Sequence, residues 1–188
     1  MGLVSLIVRS GFWMLVVVAV GVVAVAALGA GADMLGIDSE APTLDEDRVE
    51  DEVRNQVNEI RSDSSLIVLE HDEDLYQQSE AHTERMAAND RLANQIGEST
   101  VDDRLGSAGC AYGSENVAQS WEFEEIDIPD GETISTNSEE ELAAALVESW
   151  MTSDGHRENI LTNDWRHTAV SVEIRDDGKV YATQMFCE

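Results

Sequence analysis

Basic residues are scarce in this 188-residue chain: 11 Lys and Arg stand against 39 Asp and Glu, a formal charge of −28. Lys179 is the only lysine. A protein that grips nucleic acid through its phosphates needs clustered basic side chains, so nucleic acid is excluded as a partner. Two cysteines are too few for a disulfide-dense miniprotein. Two prolines exclude a collagen-like or proline-rich chain. Aromatics make up only 5%, yet hydrophobic residues reach 43%, enough for one packed domain with a modest appendage.

The charge is unevenly spread. Arg9 is the only charged residue before Asp33, so every acid lies in the remaining part. Such a surface repels itself at ordinary ionic strength, and salt shortens the reach of that repulsion. The composition points to a halophilic domain built for very salty water; a merely acidic domain is the alternative. Gly11 to Ala32 is an uncharged run that, as a helix, is long enough to cross a hydrocarbon core of about 30 Å. Trp13 sits near its start, where an amphipathic ring suits the interface, and Arg9 favours a cytoplasmic N-terminus. The expected order is a cytoplasmic segment 1–10, a transmembrane helix 11–32, an acidic tether 33–47 and a domain 48–188 outside the cytoplasm. The alternative is a signal peptide cleaved near Ala30-Gly31-Ala32, which would release a secreted domain.

Within the exported part, Val49, Val53, Val57 and Ile60 recur at helical spacing and predict a helix from about Asp45 to Arg61. A second helix is expected from about Asp72 to Asn89, with Leu75, Ser79, His82 and Met86 along one stripe. Small and polar residues from Asn94 to Gly113 suggest a loop with little regular structure. Ser138 and Glu141 have the spacing of a reciprocal capping box, opening a helix that should end near Ser153-Asp154-Gly155. Val170, Val172 and Ile174 alternate, Asp176-Asp177-Gly178 turns, and Val180 to Phe186 returns as a second strand. The fold class is α+β.

Cys110 and Cys187 both fall in the exported part, where an oxidising exterior permits a bridge; two separate buried thiols are the alternative. Four histidines are present: His71, His82, His156 and His167. Neutral imidazole and carboxylate together suit zinc and other divalent cations, which singles out His82, His156 and Glu115, the last lying in GSENVAQ among small residues. No two of these have the spacing of a local metal motif. The plainer reading makes His82 a buried, hydrogen-bonded histidine and gives His156 a cap or salt-bridge role. Neither a nucleophile elbow nor a phosphate-binding glycine loop occurs. The acidic stretches 72–74, 122–125 and 139–141 read as a helix start and solvated surface.

Five segments in order then carry a resemblance: VRNQVNEIRS, LEHDEDLYQQSEAHTERMAAN, DDRL followed by GSENVAQ, LVESWMTSDGHRENIL, and YATQMFC. Together they resemble the CAP superfamily, the SCP or pathogenesis-related-1-like domain, in its short prokaryotic form, over about Val49 to Cys187. The resemblance implies an α-β-α sandwich around a small central antiparallel sheet. It also implies a cleft where two histidines and one or two acids bind a divalent cation, zinc or calcium, in some members. By position these are His82, His156 and Glu115. The family's second glutamate corresponds here to Ser153, with Glu148 and Asp154 only nearby. Asn94 stands where many prokaryotic members carry a further histidine.

Two functions follow as expectations. One is a non-catalytic extracytoplasmic module that binds a cation and a small, apolar ligand or a cell-envelope partner. The other is a metal-dependent, peptidase-like hydrolase in which His82 and His156 hold the metal and Glu115 activates water. A third possibility is an anchored surface protein whose cleft is a structural remnant.

Overall fold

The computed structural model describes residues 43–127 and 131–188. The apolar run 11–32, the segment 1–10 and the tether as far as 42 lie outside the described residues. Among those described, no helix is long and apolar enough to cross a membrane.

Helix α1 (Glu46–Asp63) begins where the Asp45 carboxylate accepts from the Arg48 N–H, with Glu46 and Asp47 in the first turn, where the helix dipole favours acids. Val49, Val53 and Val57 form its buried stripe. Leu44, just before the cap, is already buried, so the packed fold takes in the last residues of the expected tether. After the short strand β1 (Glu70–His71), Asp72 caps α2 (Glu73–Ala88) by accepting from the Leu75 N–H at 2.9 Å. The stripe Leu75, Ser79, His82 and Met86 is buried as the spacing requires.

Two elements depart from expectation. The stretch 94–113 is not loop throughout: it contains α3 (Val101–Ser107), opened by a reciprocal capping box between Thr100 and Asp103. Two turns of helix are too short for apolar periodicity to register, and the Thr100-x-x-Asp103 spacing is their local signal. Conversely, the box at Ser138 is only half made. Ser138 Oγ accepts from the Glu141 N–H, but the Glu141 carboxylate accepts from Asn137 N–H and Ser135 Oγ instead of returning to Ser138. The helix it opens, α4 (Glu139–Met151), ends close to the expected Ser153-Asp154-Gly155, and a separate helix α5 (Asp154–Leu161) follows.

The main sheet has strand order β1-β5-β6-β2, with β2 (Gly113–Trp121), β5 (His167–Ile174) and β6 (Lys179–Cys187). The β5–β6 pair is the antiparallel hairpin the alternation predicts. The sheet is not wholly antiparallel, however: β1 pairs in parallel with β5, because α2 and the long excursion through β2 and α4 separate them in the chain. A second, two-stranded sheet joins β3 (Glu125–Asp127) to β4 (Thr133–Ser135).

Helices cover both faces of the main sheet. On one, Val170, Val172, Val180, Ala182 and Phe186 pack with the apolar faces of α1 and α4, including the fully buried Trp150. On the other, Ala169, Met185, Val117 and Tyr181 meet Leu75, Met86 and Ala87 of α2 and Leu105 of α3. Each large apolar side chain removed from water contributes roughly 1.5–3 kcal/mol. Only the first two residues of β5 have β1 as neighbour, and further along α1 covers its edge with carboxylates. Glu50 accepts from the Val172 N–H at 2.9 Å and Glu46 from the Ile174 N–H at 2.6 Å. Burial, which outweighs the hydrogen bond from Val172, pushes the Glu50 carboxyl up to about 7.

Candidate functional site

The strand β2 brings the first expected residue into place. Gly113 starts it, and a Cβ there would run into the Phe186 carbonyl oxygen of β6, so only glycine allows this approach. Beside it the Cys110–Cys187 disulfide forms, closing a sequence separation of 77 residues and tying the loop after α3 to the end of β6. Of the two readings of the cysteines, the bridge is the one found.

Side chains alternate along β2, so Glu115 and Asn116 leave opposite faces. Glu115 turns toward α2 and α3, where its side chain and that of His82 are both 0% exposed. His82 is held by its place on the buried stripe of α2. Its Nε2 donates to the Ala93 carbonyl at 2.9 Å, and its Nδ1 is buried with no partner among the described residues. Burial and the nearby Arg104 charge push the imidazole down to about 4, so it is neutral at pH 7.

Arg104, on α3, dominates the site. Its Nε lies 2.8 Å from Glu115 Oε2 and its Nη2 2.6 Å from Oε1, a two-pronged pairing inside the protein. Asn94 Nδ2 adds a contact to Oε1 at 3.4 Å, whereas His82 Nε2 stands 3.8 Å away. Burial raises the Glu115 carboxyl above its ordinary range, opposed by Arg104 and Asn94.

His156 is not in this cluster. Helix α5 is fastened to the opposite face of β2: Asn116 Nδ2 donates to the His156 carbonyl at 3.1 Å, and Asn159 Nδ2 to Asn116 Oδ1 at 2.8 Å. The backbone of His156 is therefore well held. Its half-buried imidazole, pushed down by burial, makes no ion pair with Glu115 or any other carboxylate among the described residues. Ser153 is the N-cap residue of α5 without a side-chain capping bond, and Asp154 lies in its first turn. Glu148 lines a different feature, a groove of about 860 Å³ between α1, α4 and β4 shared with Glu59, Ile60, Ile134 and Val147.

The structure thus unites His82 with Glu115 and leaves His156 apart. Among the described residues, no three His, Cys, Asp or Glu side chains converge to hold a metal ion. As arranged, the residues do not fit a divalent cation: both Glu115 oxygens are taken by a guanidinium, and the His82 nitrogen nearest them carries its proton toward Ala93. Reasoning from sequence missed Arg104, Asn116 and Asn159. The first was visible as the arginine of DDRL and the last as the asparagine of GHRENIL, but nothing local marked either as a partner.

The fold and these motifs agree with comparison to known proteins. The chain belongs to the CAP family, the cysteine-rich secretory protein family, whose model matches residues 54–186. No curated protein matches the sequence. Among solved structures it is similar to an outer surface protein of Borrelia burgdorferi, at 15% identity and a TM-score of 0.63, covering 77% of this chain and 96% of that one. It is also similar to an extracellular SCP-domain protein of Bacillus anthracis (22% identity, TM-score 0.56), covering 76% of this chain and 41% of that one. A cysteine-rich secretory protein of Staphylococcus aureus (18% identity, TM-score 0.54) matches over 78% of this chain and 40% of its own. The chain therefore spans about two fifths of the last two proteins.

Proposed function

We propose that this CAP domain is a non-catalytic extracytoplasmic module that binds a small ligand or a cell-envelope partner through its surface. The observation that carries this reading is the state of Glu115. A general base needs a free lone pair within reach of a water, and here the carboxylate is buried and gripped on both oxygens by Arg104. The hydrolase alternative, with His82 and His156 holding a metal, would need Arg104 to leave and His156 to join the cluster. Among the described residues, one surface feature open to a ligand is the acidic groove between α1 and α4, lined in part by Ile60, Ile134 and Val147.

A location outside the cytoplasm is supported by the disulfide, which persists in oxidising compartments. The structural relatives described as outer-surface or extracellular are consistent with it. The apolar run 11–32 would anchor the protein to the membrane by one helix, with cleavage and secretion as the other route.

The test uses the full-length protein against fluorescein-labelled casein, with and without added zinc, beside a binding assay on washed envelopes of the producing cells. Saturable retention on the envelopes without peptide release supports the module. Peptide release that disappears in Glu115→Gln establishes the hydrolase instead.

A further inference from the structure

We propose that Arg104 is the resident cation of this cleft: its guanidinium takes both carboxylate oxygens that a divalent ion would need, so the domain is complete without metal. The inference does not rest on the module reading, since a cleft closed by arginine is metal-independent whatever the surface binds.

Three observations carry it. The first is the pairing itself, with Nε on Oε2 and Nη2 on Oε1 of Glu115, both side chains at most 2% exposed. A planar fork matched to a carboxylate is the geometry arginine offers and a lysine or a metal ion does not.

The second is saturation. A guanidinium has five N–H donors. Nη2 also donates to the Asn94 carbonyl at 2.8 Å, and Nη1 faces the Ser99 carbonyl at 3.3 Å and the Ser99 hydroxyl at 3.4 Å. With the two bonds to Glu115, every donor has an acceptor. An arginine that had merely swung into an unused metal site would leave donors unpaired in the interior, a costly state. This one is built in.

The third is the histidine. The Ala93 carbonyl can only accept, so His82 Nε2 carries the proton and the lone pair sits on Nδ1. The imidazole nitrogen nearest Glu115 therefore offers no lone pair to an ion held between the two. Its other consequence is mechanical. Ala93, Asn94 and Ser99 all lie in the stretch that joins α2 to α3, and His82 and Arg104 hold their carbonyls. Arg104 thus fastens this connection to β2, the role a bound ion would otherwise fill.

The experiment titrates the full-length protein with zinc and then calcium by calorimetry and follows thermal unfolding with EDTA or excess zinc. The wild type should give no saturable heat, and its unfolding midpoint should be the same in EDTA and in zinc. Arg104→Lys keeps a cation but loses the fork and should lower the midpoint; Arg104→Met should lower it further, by about 10 °C. If the variants do not fold, the wild type still decides by 15N NMR. The Arg104 side-chain N–H signal should be slow to exchange and unmoved by zinc. A one-to-one isotherm in the wild type that vanishes in His82→Ala, or loss of the protected Arg104 signal on adding zinc, would overturn the proposal. Neither result would by itself establish turnover, so the module reading is tested separately.

Discussion

Glu50 and Glu115 sit at opposite edges of one sheet, the first reaching β5 from α1 and the second projecting from β2, and both are buried. Glu50 has a backbone N–H and the Tyr76 hydroxyl, but no cation within ion-pair distance among the described residues. Burial therefore prevails and its acid holds a proton to about pH 7. Glu115 has a guanidinium across both oxygens. Glu115 is the deeper of the two, its side chain fully buried, and the partner decides what each carboxylate does. A solitary one relieves its cost by protonation, whereas a paired one makes its partner indispensable.

The comparison is broken most severely by removing Arg104. Arg104→Met leaves Glu115 alone in the interior, and chemical denaturation should show a loss of about 3–5 kcal/mol. The Glu115 edge is also secured covalently. Replacing both Cys110 and Cys187 by serine should cost about 4 kcal/mol from the length of the closed loop. Hydrogen exchange should then rise first along Gly113–Asn116 and α3, ahead of the Glu50 edge.

Glu50→Gln should act in the opposite sense. The folded-state value of about 7 exceeds the ordinary 4.5, so the folded protein binds the proton more tightly. Its contribution is full at low pH and is lost as pH rises from about 4.5 to 7. At pH 8 the uncharged isostere should therefore stabilise the protein by about 2 kcal/mol, measured by denaturation. His82 supplies the smallest and most diagnostic effect. Its folded value of about 4 lies below the ordinary 6.5, so its contribution is present above pH 6.5 and is lost on acidification toward 4. Between pH 6.5 and 5 the two groups nearly cancel in the wild type. In Glu50→Gln that offset is gone, and the variant should lose about 1–2 kcal/mol relative to wild type over that interval.

The same contrast explains what could be read from the chain. Helices with one wet face were legible, as the valine stripe of α1 and the His82 stripe of α2 show, and the β5–β6 hairpin, though buried on both faces, was marked by the Asp176-Asp177-Gly178 turn between two apolar runs. Strand β2 was not, because Glu115, Asn116, Val117 and Ala118 are all buried and no alternation of polarity survives. The ion cluster was half legible. His82 and Glu115 could be named from motif and residue type, and they do meet. Their partner could not, since pairing Arg104 with Glu115 depends on how a two-turn helix docks on a strand. Nor could spacing show that Asn116 and Asn159 fasten α5 to β2 with no ion pair between His156 and Glu115.

The central claim is that Arg104 and Glu115 act as one unit, which a double-mutant cycle tests most directly. Arg104→Met, Glu115→Met and the double variant would be compared by chemical denaturation at pH 7 with EDTA present. The account predicts that each single change is severe and that the double variant recovers much of the loss, giving a coupling of at least about 2 kcal/mol. Additive losses, with coupling indistinguishable from zero, would contradict it.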